Sequence, residues 1–157
     1  MEQVRKATAS ATADGMEFVL SDATVDSYGD IVEPSGWDLK RFKQNPIALF
    51  GHSSAFPIGR WADVRVEDGK LKGRLEMAKA GTSYRLDELR RLIEQGILRA
   101  VSVGFRPLKA EPIDKEKPYG PQRYMKQELL ETSLASVPAN PAALAVAKGM
   151  KISDDVI

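Results

Sequence analysis

The chain has 157 residues, a formal net charge of +1, 43% hydrophobic and 29% charged side chains, one histidine and no cysteine. That length suits a single core able to fold unaided, and the near-neutral charge provides no global field to draw in nucleic acid or an anionic membrane. Disulfides, thiolate metal sites and a cysteine nucleophile are excluded together, as is any zinc site needing two histidines.

Residues 1–14 end in the small polar run ATASATAD and read as a flexible arm. Neither there nor later is there an apolar run long enough for a secretory signal or a membrane-spanning helix of about 20 residues. Met16 to Leu20 reads as a first strand, followed by the turn-rich stretch Asp22 to Gly36. Trp37, Leu39 and Phe42 give 37–44 the spacing of a short amphipathic helix, stopped before Asn45-Pro46. Ile47 to Phe50 is a short apolar run, so His52 falls just past a strand end.

Ile58 to Val66 and Leu71 to Met77 flank Asp68-Gly69, a dipeptide suited to the positive φ angles of a two-residue hairpin turn. A helix is expected over 83–95, with Thr82 or Ser83 as its cap and Gly96 ending it. Tyr84, Leu86, Leu89, Leu92 and Ile93 would form its buried stripe. Arg85, Arg90 and Arg91 are balanced by Asp87, Glu88 and Glu94, which reads as a solvated face and not a nucleic-acid patch.

Arg99 to Pro107 alternates like a strand, with Val101, Val103 and Phe105 on one face and Ser102 and Gly104 on the other. Lys109 to Gln122 reads as an exposed excursion. Tyr124 to Val137 is a long β-like run that places Glu131 and Ser133 on one face. Pro138-Ala139-Asn140-Pro141 then leads into a short helix over 142–148 and a frayed tail over 150–157. The expectation is one domain over 15–149, mainly β with helices in the α+β class. Its core would be a closed antiparallel β-barrel of about seven strands with two or three helices packed outside.

Ser102 is a hydroxyl in an otherwise apolar strand, and Gly104 on the same face would let a substrate backbone lie close. His52 is the one imidazole able to serve as a base. On residue type alone, the structural reading is the commoner one for a lone histidine, and more so for a small hydroxyl on a strand face. The Asp26-Ser27-Tyr28-Gly29-Asp30 cluster lacks the closing Glu of an EF-hand and reads as a turn held by Asx hydrogen bonds. No metal or cofactor site is expected.

Four segments in order carry a resemblance. They are DATVDSYGDIVEPSGW at 22–37, NPIALFGHSSAFPIGRW at 45–61, GILRAVSVGFRP at 96–107 and LLETSLASVPANPAAL at 129–144. Together they resemble the prohead (capsid maturation) serine proteases of tailed phages, distant relatives of the herpesvirus assembly proteases. The resemblance implies a herpesvirus-protease-like barrel, His52 as the base and Ser102 as the nucleophile. Ser53, Ser54 and Ser133 are the alternative nucleophiles. The herpesvirus enzymes use a second histidine as third member, which this chain lacks. Glu131 is favoured in its place over Glu128 and Asp63, with a dyad as the alternative. Backbone N–H groups of Ala139 and Asn140 are the implied oxyanion donors, although PANP also suits a strand stop and helix cap.

The resemblance further implies cleavage of a major capsid protein precursor or scaffold domain, and of the chain itself, through an acyl-enzyme. The portal is a further candidate partner, and the dimerising herpesvirus relatives make a homo-oligomer an open expectation. The work would take place inside the procapsid, assembled in the bacterial host cytoplasm, without nucleic-acid or membrane partners. A non-enzymatic capsid-associated β-barrel module is the alternative from another class.

Overall fold

The computed structural model describes residues 14–144. The arm expected before Asp14 and the tail over 150–157 lie outside the described residues, as does most of the expected final helix. The strands are β1 (Asp14–Asp22), β2 (Ile31–Val32), β3 (Trp37–Asp38), β4 (Ile47–Phe50), β5 (Ser53–Glu67), β6 (Lys70–Met77), β7 (Ala100–Pro112) and β8 (Gln122–Ala135). One α-helix, α1 (Tyr84–Glu94), and two 3-10 turns, Pro34–Gly36 and Phe42–Gln44, complete the elements among the described residues.

The sheet runs β1-β6-β5-β4-β8-β2, with β3 and β7 also paired to β8. It is an open half-barrel, which corrects the expected closed barrel of about seven strands. β1 and β7 approach each other but do not pair. Instead, the segment after β8 lies between them: Val19 N–H donates to the Leu144 carbonyl and Val101 N–H to the Ala143 carbonyl, each at 3.0 Å. The β-rich α+β class holds.

β8 is the spine of the sheet. Its one edge pairs antiparallel with β7 from Ala100↔Ala135 to Pro112↔Gln122. Its other edge takes β2, β3 and β4 in turn, all parallel. Trp37 and Asp38 therefore pair with Gln127 and Glu128 instead of forming the helix that their spacing suggests. Gly36 lets this happen, since a Cβ there would sit 1.9 Å from the Met125 carbonyl oxygen.

The core lies between the curved sheet and α1. Met16, Phe18 and Leu20 of β1, Ile58 and Trp61 of β5, and Leu71 and Leu75 of β6 are almost fully buried. Trp61 meets Phe18 edge-on at 5.5 Å between centroids, and its indole N–H donates to the Thr132 carbonyl at 3.1 Å, tying β5 to β8. Helix α1 buries Leu86, Leu89 and Ile93 and is capped by Ser83, whose hydroxyl accepts from Leu86 N–H at 3.1 Å.

Two helix expectations are revised. Tyr84, at the first position, is exposed. Arg90 is buried, with its guanidinium on the Ala78 carbonyl, so it does not belong to a solvated face. The expected excursion also shrinks, because β7 runs on to Pro112 and β8 begins at Gln122. No helix among the described residues is long and apolar enough to cross a membrane.

Candidate active site

Three neighbouring parts of the sheet bring the sequence candidates together. β4 and β5 are joined by the two-residue turn Gly51-His52 between the paired residues Phe50 and Ser53. Both turn residues have positive φ, 60° for Gly51 and 61° for His52. Glycine adopts this backbone without cost, whereas histidine does so only against a steric penalty. The turn is fastened to β8 on both residues. Gly51 N–H donates to the Leu134 carbonyl, and His52 N–H to the Ser133 hydroxyl, each at 2.9 Å.

That turn presents the imidazole to Glu131. His52 Nδ1 and Glu131 Oε2 share a short hydrogen bond. A carboxylate only accepts, so the bond places the proton on Nδ1 and leaves the Nε2 lone pair available. Glu131 is held in turn by Ser133, whose hydroxyl donates to Oε1 at 2.8 Å while accepting the His52 amide. Both carboxylate oxygens are thus engaged. The His52 side chain is 45% exposed and that of Glu131 26%, so the pair opens to solvent at the imidazole.

β7 supplies the hydroxyl. Ser102 pairs with Ser133 and Gly104 with Glu131, so all four residues share one face of the sheet. Ser102 is 7% exposed. No hydrogen bond joins it to His52 among the described residues. Gly104 sits directly opposite Glu131 on the ladder. A Cβ there would meet Glu131 Oε2 at 2.3 Å, so the missing side chain makes room for the carboxylate.

A family model for the caudovirus prohead serine protease matches residues 4–154. The chain belongs to that family. It is 32% identical over 120 residues to the prohead protease of Escherichia phage T5, an alignment covering 73% of this chain and 53% of that one. It is 28% identical over 129 residues to the capsid polyprotein of Pseudomonas phage PAJU2, covering 80% of this chain and 18% of that one. The chain therefore spans about half the length of the first relative and under a fifth of the second. No solved structure matches it.

Within this prohead protease framework the competing carboxylates fall elsewhere. Glu128 is buried in an ion-pair network with Arg106 at 2.5 Å and Arg41 at 3.4 Å. Asp63 is exposed on a bulge of β5 and pairs with Arg65 at 3.4 Å. Ser53 and Ser54 begin β5 on its exposed end. Ser133 is fully buried with its hydroxyl committed to Glu131. Sequence reasoning weighed Ser133 only as a spare nucleophile and missed it as the brace of the pair; its shared strand face with Glu131 was the available signal.

The segment after β8 lies beside Ser102. Asn140 is anchored by its side-chain amide, which donates to the Asp22 carbonyl at 3.1 Å, while its Oδ1 accepts from Ala142 N–H at 2.9 Å. Among the described residues, no acceptor takes the backbone N–H of Ala139 or Asn140. Residues 141–144 form a turn and a bridge to Ala100 where the start of a helix was expected. The Asp26 cluster is the anticipated Asx turn, with Asp26 Oδ1 accepting from the N–H groups of Tyr28 and Asp30 at 2.9 Å each. No group of side chains among the described residues is arranged to hold a metal ion.

Proposed function

We propose that the chain is a serine endopeptidase that cleaves capsid or scaffold precursors, and itself, during phage prohead maturation. The observation that carries this reading is the braced His52–Glu131 pair facing the same sheet surface as Ser102, in a member of the prohead protease family. Ser102 Oγ attacks the scissile carbonyl carbon as its proton passes to His52 Nε2. Glu131 stabilises the imidazolium so formed, and the Ala139 and Asn140 amides hold the oxyanion. Collapse breaks the C–N bond, with the leaving amine taking the proton from His52. Water then cleaves the acyl-enzyme by the same route in reverse.

The capsid-polyprotein relative supports a capsid precursor as substrate. Confinement inside the shell would raise the concentration of that substrate so far that a modest catalyst suffices. The test is co-expression with the capsid precursor. Ser102→Ala should abolish processing of the precursor and of the chain, while unfolding free energy moves by about 1 kcal/mol or less. Continued processing by this variant would remove Ser102 from the mechanism.

A further inference from the structure

A cavity of about 170 Å³ lies beside Ser102, on the side facing the Ala139-Asn140 segment. Leu20, Val32 and Phe105 line it with apolar surface, and Asp26 and Asp30 add two carboxylates. Ser102 lines it too, more than nine-tenths buried and with its hydroxyl given to no partner among the described residues. The cavity therefore borders the residue that would attack.

Neither acid forms an ion pair among the described residues, and no cationic side chain lines the cavity. Asp26 Oδ1 is occupied by the amides of its own turn, and Asp30 Oδ1 accepts from Gln122 N–H at 2.8 Å. Among the described residues no donor takes the second oxygen of either carboxylate. The field of the pair is felt at Tyr124, another wall residue. Burial first, and then the charges of Asp30 and Asp26, raise its phenol above the ordinary value. The field that disfavours a phenolate there favours a cation.

The backbone offers a matching approach. Val101 N–H points away from β8, to the Ala143 carbonyl. Val103, two residues on, therefore presents its own N–H and C=O to the same outer edge of β7, beyond the point that Ala143 covers. An extended peptide added to that edge would run past Ser102.

We infer that this cavity is the primary specificity pocket and takes a lysine or arginine side chain from the residue whose carbonyl Ser102 attacks. The aliphatic stem lies against Val32 and Phe105 and the cationic head reaches Asp26 and Asp30. This deepens the protease reading and rests on Ser102 as nucleophile.

The test uses the full chain and four serine-directed probes: a fluorophosphonate with no side chain, and peptidyl diphenyl phosphonates with lysine, leucine or glutamate at the reacting position. The lysine probe should modify Ser102 at least about tenfold faster than the leucine probe, with glutamate slowest. Asp30→Asn keeps the oxygen that accepts from Gln122 and should cut the lysine-to-leucine ratio at least about threefold; adding Asp26→Asn should bring it near one. If Asp26→Asn does not fold, the wild-type ratio should still fall as salt is raised from 0.05 to about 0.5 M. Fluorophosphonate modification of Ser102 without a lysine advantage would overturn the pocket and leave the protease standing. A lysine advantage untouched by Asp30→Asn and by salt would overturn it equally. Failure of the fluorophosphonate to modify Ser102 would remove the nucleophile and the pocket together.

Discussion

Two hairpin turns of this chain have the same length and the same unusual backbone, yet they are put to different uses. Asp68-Gly69 joins β5 to β6 with φ values of 55° and 70°, and Gly51-His52 joins β4 to β5 with 60° and 61°. The first places glycine second, after an aspartate that tolerates the left-handed region, and is exposed, with Asp68 reaching only the Lys72 ammonium of its own hairpin at 3.6 Å. The second reverses the order and forces histidine into that region, at a cost of order 1 kcal/mol. What offsets the cost is contact: the imidazole on Glu131 and the His52 amide on Ser133. A strained residue held from two sides is better read as positioned by its contacts with β8 than as a poor turn former.

Replacing the histidine by the residue its backbone prefers gives the largest expected effect. His52→Gly should lower turnover at least about a thousandfold, because no second imidazole exists. Its unfolding free energy should stay within about 1 kcal/mol of wild type, the relieved strain offsetting the lost Glu131 contact. Denaturant unfolding beside a processing assay separates the two. A variant that loses several kcal/mol would show His52 to be structural.

Glu131→Gln keeps shape but removes the charge that stabilises the imidazolium. It should reduce kcat on the order of a hundredfold with KM little changed. A nearly silent Gln variant, beside inactive Ser102 and His52 variants, would make the site a dyad. Ser133→Ala should cost less, roughly tenfold in kcat. It loosens one carboxylate oxygen and leaves the His52 amide without its acceptor, with a stability loss of about 1–3 kcal/mol.

The contrast between the turns also shows what a sequence discloses. Asp68-Gly69 was readable because the dipeptide itself favours the turn. Gly51-His52 was not, since the reason for its geometry lies about 80 residues away on β8. The alternation of Arg99 to Pro107 and of Tyr124 to Val137 correctly set Ser102 with Gly104 and Glu131 with Ser133, because side chains on a strand repeat every two residues. That these pairs oppose each other depends on the β7–β8 register, which alternation does not encode. The same limit explains the closed barrel: strand count carries no information on whether the first and last strands meet. The expected helix over 37–44 failed because the apolar spacing of Trp37, Leu39 and Phe42 was weaker than the pairing of Trp37 with β8.

The smallest effect should come from the plain turn. Gly69→Ala puts a side chain at a φ of 70° and should cost about 1 kcal/mol of stability, while kcat per folded molecule stays unchanged. A fall in kcat would mean that the β5–β6 hairpin is coupled to the site, and would erase the distinction between the two turns.

The central claim, that Ser102 is a nucleophile driven by a His52 held on Glu131, is tested most directly by covalent modification. The folded chain should be treated with a fluorophosphonate and the modified residue located by peptide mass spectrometry. One adduct is expected, on Ser102, lost on denaturation and slowed strongly in His52→Gly and in Glu131→Gln. An adduct on Ser133, Ser53 or Ser54, or modification of Ser102 at an undiminished rate in His52→Gly, would contradict it.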